Sequence, residues 1–175
     1  MSTNSVNTIL TKEIKSKVFA VLKEYGFEIF SGRKAWKYFD NKIYLFAITG
    51  VGSNFSEVTG YPSISITSSI NIYYINFPDN KECKKLSKTG KLLPGETECH
   101  YRFSLEKINR QENIIKNAKH PIERKRRDVW WIEPNGNNIE SVMSDIIQAI
   151  KTQALKLVEK PCYQYEEQLS RYKRR

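Results

Sequence analysis

The chain has 175 residues, 39% of them hydrophobic and 12% aromatic, which suits one domain with a single core. No run approaches the roughly 20 apolar residues of a membrane span, and the amphipathic N-terminus, MSTNSVNTILTKEIKSK, lacks the cleavage site of a signal peptide. Net charge is +10, from 29 Lys and Arg against 19 Asp and Glu, which favours nucleic acid, anionic lipid or an acidic protein as partner.

From Asn4 to Tyr25 the apolar residues Val6, Ile9, Leu10, Ile14, Val18, Val21 and Leu22 recur at threes and fours, the stripe of an amphipathic helix. Gly26 ends it. Extended structure begins at Phe27–Phe30, and Ser31-Gly32 marks a turn. Ala35–Asp40 and Lys42–Val51 read as strands joined by a tight Asp40-Asn41 turn. The second is apolar on both faces through Ile43–Ile48, as a central strand is. The glycines around Ser53–Tyr61 have neither P-loop nor dinucleotide-binding spacing and are expected to form turns and a loop.

Ser63–Phe77 alternates as a long strand. A change of phase at Tyr73-Tyr74 suggests a bulge or bend there. Residues 79–96, DNKECKKLSKTGKLLPGE, form a lysine-rich excursion. Strand character returns at Glu98–Leu105, with His100, Arg102 and Ser104 on one face. Glu106–Lys119 has the pattern of a short helix, bounded by His120-Pro121. Val129–Glu133 is the last strand, followed by a Pro134-Asn135-Gly136 turn. Asn137 is the expected N-cap of the final helix, with Glu140 three residues on. Its stripe runs from Ile139 through Val142, Met143, Ile146, Ile147 and Ile150 to Val158, and Pro161 stops it.

This order predicts an α+β fold: a single antiparallel sheet of about five strands, with N-terminal and C-terminal helices packed on one face. Residues 1–160 form one domain, and 161–175 a basic C-terminal tail. The layout resembles a group of uncharacterised bacterial domains of unknown function with a helix–antiparallel meander–helix plan. KEYGFEIFSGRKAWKYFDN, CHYRFSLEKI and DVWWIEPNGNNIESVMSDIIQAI carry the resemblance, which covers roughly residues 8–158. It implies the fold and no active site.

Charge is patchy: residues 97–128 carry nine basic and five acidic groups. Its peak is ERKRRDVWW, Glu123 to Trp131. Arg124, Lys125, Arg126 and Arg127 suit phosphate contacts, whereas strand alternation sends Trp130 and Trp131 to opposite faces, so one ring at most is left for stacking. Trp130 is the more buried of the two if the helices cover its face. The competing reading is a solvated charged loop. Lys84, Lys85 and Lys88 of the excursion, with Arg102 and His100, complete the candidate contacts for nucleic acid or another acidic partner. If the helices cover one sheet face only, His100, Arg102 and Ser104 with Trp36, Tyr38 or Tyr73 line an open one.

Other chemistry has less behind it. A zinc site would draw on Cys83, Cys99, His100 and His120, but Cys99 and His100 are adjacent and a strand points them apart. No nucleophile elbow exposes a serine. Asp128, Glu133 and Asp145 could hold magnesium in a nuclease, but Glu133, followed by Pro134, lacks the nearby strand lysine that such a site would often use. No cofactor or metal is expected. Three cysteines without close spacing fit a reducing cytosol. The leading expectation is therefore a non-catalytic cytoplasmic protein that binds an acidic partner, most concretely nucleic acid, through a basic surface. The alternative is a protein-interaction, inhibitor or immunity-type module of a bacterial conflict system, and a small nuclease or hydrolase comes third.

Overall fold

The structure, a computed structural model, describes residues 3–77, 82–109 and 126–159. Helix α1 runs through residues 3–24 as Thr3–Glu13, a wider π-type turn at Ile14–Val18, and Phe19–Glu24. The spacing of its core residues gives a reason for the wide turn. Val6, Leu10, Ile14, Val18 and Leu22 are all fully buried and lie four residues apart. Each four-residue step in a straight α-helix rotates the side chain by about 40°. Extra residues per turn cancel part of that drift and keep the row on the sheet.

Gly26, at φ +82°, closes the helix. Its N–H bonds Lys23 O at 3.0 Å and the Phe27 N–H bonds Leu22 O at 3.0 Å, the paired bonds of a Schellman motif.

Strands β1 (Ile29–Ser31), β2 (Lys34–Phe39), β3 (Lys42–Gly50), β4 (Ile66–Tyr74) and β5 (Tyr101–Ser104) form an antiparallel sheet in that spatial order. A sixth, β6 (Val129–Trp130), pairs with β4 end to end with β5. The Asp40-Asn41 turn is as tight as expected, with Phe39 opposite Lys42 and Asp40 at φ +52°. β3 is central and buried on both faces from Ile43 to Ile48. Helix α3 comprises Ile139–Ala149, a second π-type turn at Ile150–Ala154, and Leu155–Glu159. Helices α1 and α3 share one sheet face, in a core with Phe46, Ile66, Ile70, Ile72, Trp130 and Ile132.

Several local expectations change. Gly52–Thr59 is a short helix, α2, rather than a loop; it ends at Gly60 with φ +82°. No bulge interrupts Tyr73-Tyr74: the register with β3 is unbroken to Tyr74 opposite Lys42, and the strand then ends in a turn. Asn138, rather than Asn137, holds the N-cap position of α3. Its side chain braces the preceding turn instead, accepting from Glu133 N at 2.8 Å and donating to Trp131 O at 2.8 Å. Residues 106–109 are not helical. The rest of the expected 106–119 helix lies outside the described residues, as does the 161–175 tail.

The largest correction concerns the second sheet face. It is not open at its apolar end: Cys83 and Leu93 of the lysine-rich segment, with Cys99 just beyond it, are buried against Trp36, Ile43, Leu45, Ala47 and Tyr73. Three polar anchors hold this cover. Trp36 Nε1 donates to Pro94 O at 3.0 Å, Tyr38 Oη donates to Leu92 O at 2.6 Å, and Tyr73 Oη accepts from Cys83 N at 3.3 Å. Charge spacing marks this segment as polar, but its few apolar residues point one way and exclude water from a second core.

Candidate functional site

The residues of the expected basic surface are dispersed. Arg124 and Lys125 lie outside the described residues. Arg126 is committed: its Nε and Nη2 donate to Asp128 at 2.9 and 2.6 Å, and its guanidinium lies 5.0 Å from the Phe55 ring centre. That bidentate bond, against the opposing effect of burial, holds the Asp128 carboxyl below its usual range. Arg127 is exposed, with Glu106 3.9 Å away.

Val129 stands opposite Thr67 and Cys83 reaches Tyr73 at the far end of β4, so Arg127 and the excursion lie near opposite ends of that strand. In the excursion, Lys84 is 3.8 Å from Glu82, and Lys88 sits exposed in a Ser87–Gly90 turn. His100 is held among backbone and aromatic partners. Its Nδ1 accepts from Tyr74 N at 3.0 Å, and its ring packs against Tyr73 and Phe77 at 5.1 and 4.4 Å.

Trp130 is fully buried in the main core and donates from Nε1 to Asp145 Oδ2 at 2.8 Å. Trp131 leaves on the other side and meets Tyr61 at 5.2 Å. The two rings lie in different clusters, Trp130 enclosed in the main core and Trp131 half-buried against Tyr61.

A different set of cations converges where the β1–β2 turn meets α1. Gly32, at φ +58°, makes the turn that sets Arg33 beside the helix. Arg33 donates from Nη2 to Asn7 Oδ1 at 3.0 Å and to Thr11 Oγ1 at 3.1 Å, and from Nε to Thr11 Oγ1 at 3.3 Å. These acceptors are neutral, and among the described residues no carboxylate pairs with this half-buried guanidinium. Burial lowers its pKa, because loss of water disfavours the charged form.

Two hollows flank it. On the helix side, Asn7, Thr8, Thr11, Lys12, Lys15 and Ser16 line an open groove of about 710 Å3. The helical period that buries Val6, Leu10 and Ile14 leaves this row facing out. Lys12 and Lys15 are exposed and have no ion-pair partner among the described residues.

On the sheet side, a cleft of about 360 Å3 lies between residues 31–34 and the cover, with Lys34, Lys85, Leu93 and Glu98 in its lining and Trp36 beneath. Lys34 and Arg102 reach the largely buried Glu96 at 3.5 and 3.3 Å, and Thr49 bonds it at 3.1 Å. Lys15, Lys12, Arg33, Lys34 and Lys85 thus form a basic stripe along one end of the molecule. Of the expected residues, Lys85 lines this site and Arg102 borders it. Arg33, Lys34, Lys12 and Lys15 were missed. Lys12 and Lys15 were visible as polar positions opposite the helix stripe, but nothing in the spacing brings Arg33 to Asn7.

The chain matches the family model DUF4304, a domain of unknown function, over residues 18–160. It belongs to the DUF4304 family. No curated protein and no solved structure matches it. The DUF4304 description names no ligand. Among the described residues, no three His, Cys, Asp or Glu side chains gather as a metal site, and no helix is long and apolar enough to cross a membrane.

Proposed function

We propose that this protein is a non-catalytic, cytoplasmic binding module that engages an acidic partner, most concretely nucleic acid, through the basic stripe centred on Arg33. The observation that carries this reading is Arg33 itself: a half-buried guanidinium whose partners among the described residues are neutral, between two hollows edged by lysines. Arginine offers directional bonds to a phosphate, and lysines add point charges along a backbone. The net charge of +10 supplies long-range attraction.

Titration of random-sequence single- and double-stranded oligonucleotides across a salt series tests this. Affinity should fall steeply with salt, because each phosphate contact releases counterions. Lys12→Ala with Lys15→Ala should weaken binding to all sequences alike and flatten the logarithmic slope by about two units, one per lost contact. No binding at low salt would refute the reading.

A second reading, a protein-interaction or inhibitor module, draws on the exposed Phe39, Val58 and Leu86. Leu86 lies among Lys84, Lys85 and Lys88, a composition that suits an acidic protein surface. Capture that survives nuclease treatment would favour it over nucleic acid.

A further inference from the structure

We infer that the cleft between the β1–β2 turn and the 82–99 cover seats one phosphate monoester, the terminal phosphate of a nucleotide or of a nucleic-acid strand. This rests on the reading of the stripe as a phosphate-binding surface and names the ligand of one part of it.

Size comes first. About 360 Å3 lies near the lower end of small-ligand pockets, roughly 300–1,000 Å3. That admits a single nucleotide and excludes a duplex. Charge comes second. Arg33, Lys34 and Lys85 face Glu98 across the lining, and Arg102 and Glu96 adjoin it. Four cations against two carboxylates leave +2. A phosphate monoester carries about −1.5 to −2 near neutral pH, whereas a diester carries one charge and would leave half of the excess unmatched.

Available donors come third. Arg33 spends Nε and Nη2 on Asn7 and Thr11, and its Nη1 has no acceptor among the described residues. Lys85 is exposed with no ion-pair partner among them. Lys85 can turn to an incoming oxyanion without breaking an ion pair, and Arg33 has Nη1 to offer while Nε and Nη2 stay bonded to α1. The acid in the lining sets the remaining preference. Glu98 Oε2 accepts from Gly95 N, and the carboxylate has a second oxygen to take a bond from a sugar hydroxyl or base amine. A phosphate attached to such a scaffold fits better than phosphate alone.

The test compares two single-stranded oligonucleotides of one sequence, with a 5′-phosphate or a 5′-hydroxyl, and adds adenosine monophosphate, adenosine and inorganic phosphate as competitors. The phosphorylated strand should bind about tenfold more tightly, as charge-assisted bonds to one dianion imply. Lys85→Gln, at an exposed position that does not threaten folding, should remove most of that difference and lower the hydroxyl strand's affinity only as far as the loss of one stripe cation does. Adenosine monophosphate should compete better than inorganic phosphate, and adenosine should not compete. Equal affinity for the two strands, or a difference that survives both Lys85→Gln and Arg33→Gln, would overturn the cleft inference while leaving salt-dependent binding by the stripe intact. If adenosine monophosphate binds and Lys85→Gln abolishes it, while neither strand binds, the cleft stands and the nucleic-acid reading falls.

Discussion

Arg126 and Arg33 show how little a side chain's formal charge says about its availability. Arg126 belongs to the densest basic run in the chain, yet it is neutralised by Asp128 two residues away. Arg33 stands in an ordinary turn and has no carboxylate among the described residues. The paired tryptophans diverge in the same way. Trp130→Ala should cost about 3–5 kcal/mol, since it opens a cavity in the main core. It also removes a donor from the buried Asp145, which further accepts from Ile108 N, Asn109 N and Asn109 Nδ2. Trp131→Ala should cost about 1–2 kcal/mol, because it empties a satellite cluster that already meets solvent. Urea unfolding of both variants checks this, and equal losses would contradict the division of the two rings.

Among the elements, the helices depend on local devices whose partners are distant. The turn before α3 passes close to α1 at Gly136, which has φ +78°. A Cβ there would come within 2.9 Å of Val6 Cγ1 and 3.1 Å of Ile139 Cδ1. Gly136→Ala should therefore cost about 1–2 kcal/mol for the left-handed backbone alone, with a further loss from contact with Val6. Val6→Ala in the same chain should recover part of that second component. Thermal melting of the single and double variants measures it, and strict additivity would mean that the two sites do not press on each other.

For the whole molecule, the sheet separates two cores of different origin. The helices build one, and the 82–99 cover builds the other with fewer apolar residues and three polar anchors. Trp36→Phe keeps a ring under the cover but deletes the bond to Pro94 O, a loss of about 1 kcal/mol. Amide exchange should then quicken in residues 92–98 and stay unchanged in β4 and α3, because the first core does not share that bond. Uniform quickening would show one cooperative unit instead. The same cover forms a wall of the cleft beside the β1–β2 turn, so the variant should also weaken any ligand bound there.

The terminal helices, the central strand β3, the Asp40-Asn41 turn and the helix stop at Gly26 were legible from the chain. Each depends on the period of apolar residues or on the chemistry of one or two neighbours, and such information is local. The opposed faces of Trp130 and Trp131 followed from strand geometry for the same reason. Other features required the folded molecule. Residues 79–96 look like a solvated loop because lysines dominate them, and only docking shows that Cys83 and Leu93 join Cys99 in sealing a sheet face. The candidate site is likewise made by convergence. Arg33 is 22 residues from Thr11 and 26 from Asn7 along the chain. Whether a charge is neutralised, buried or available depends on which carboxylates and surfaces surround it in space, and no composition or spacing rule carries that information.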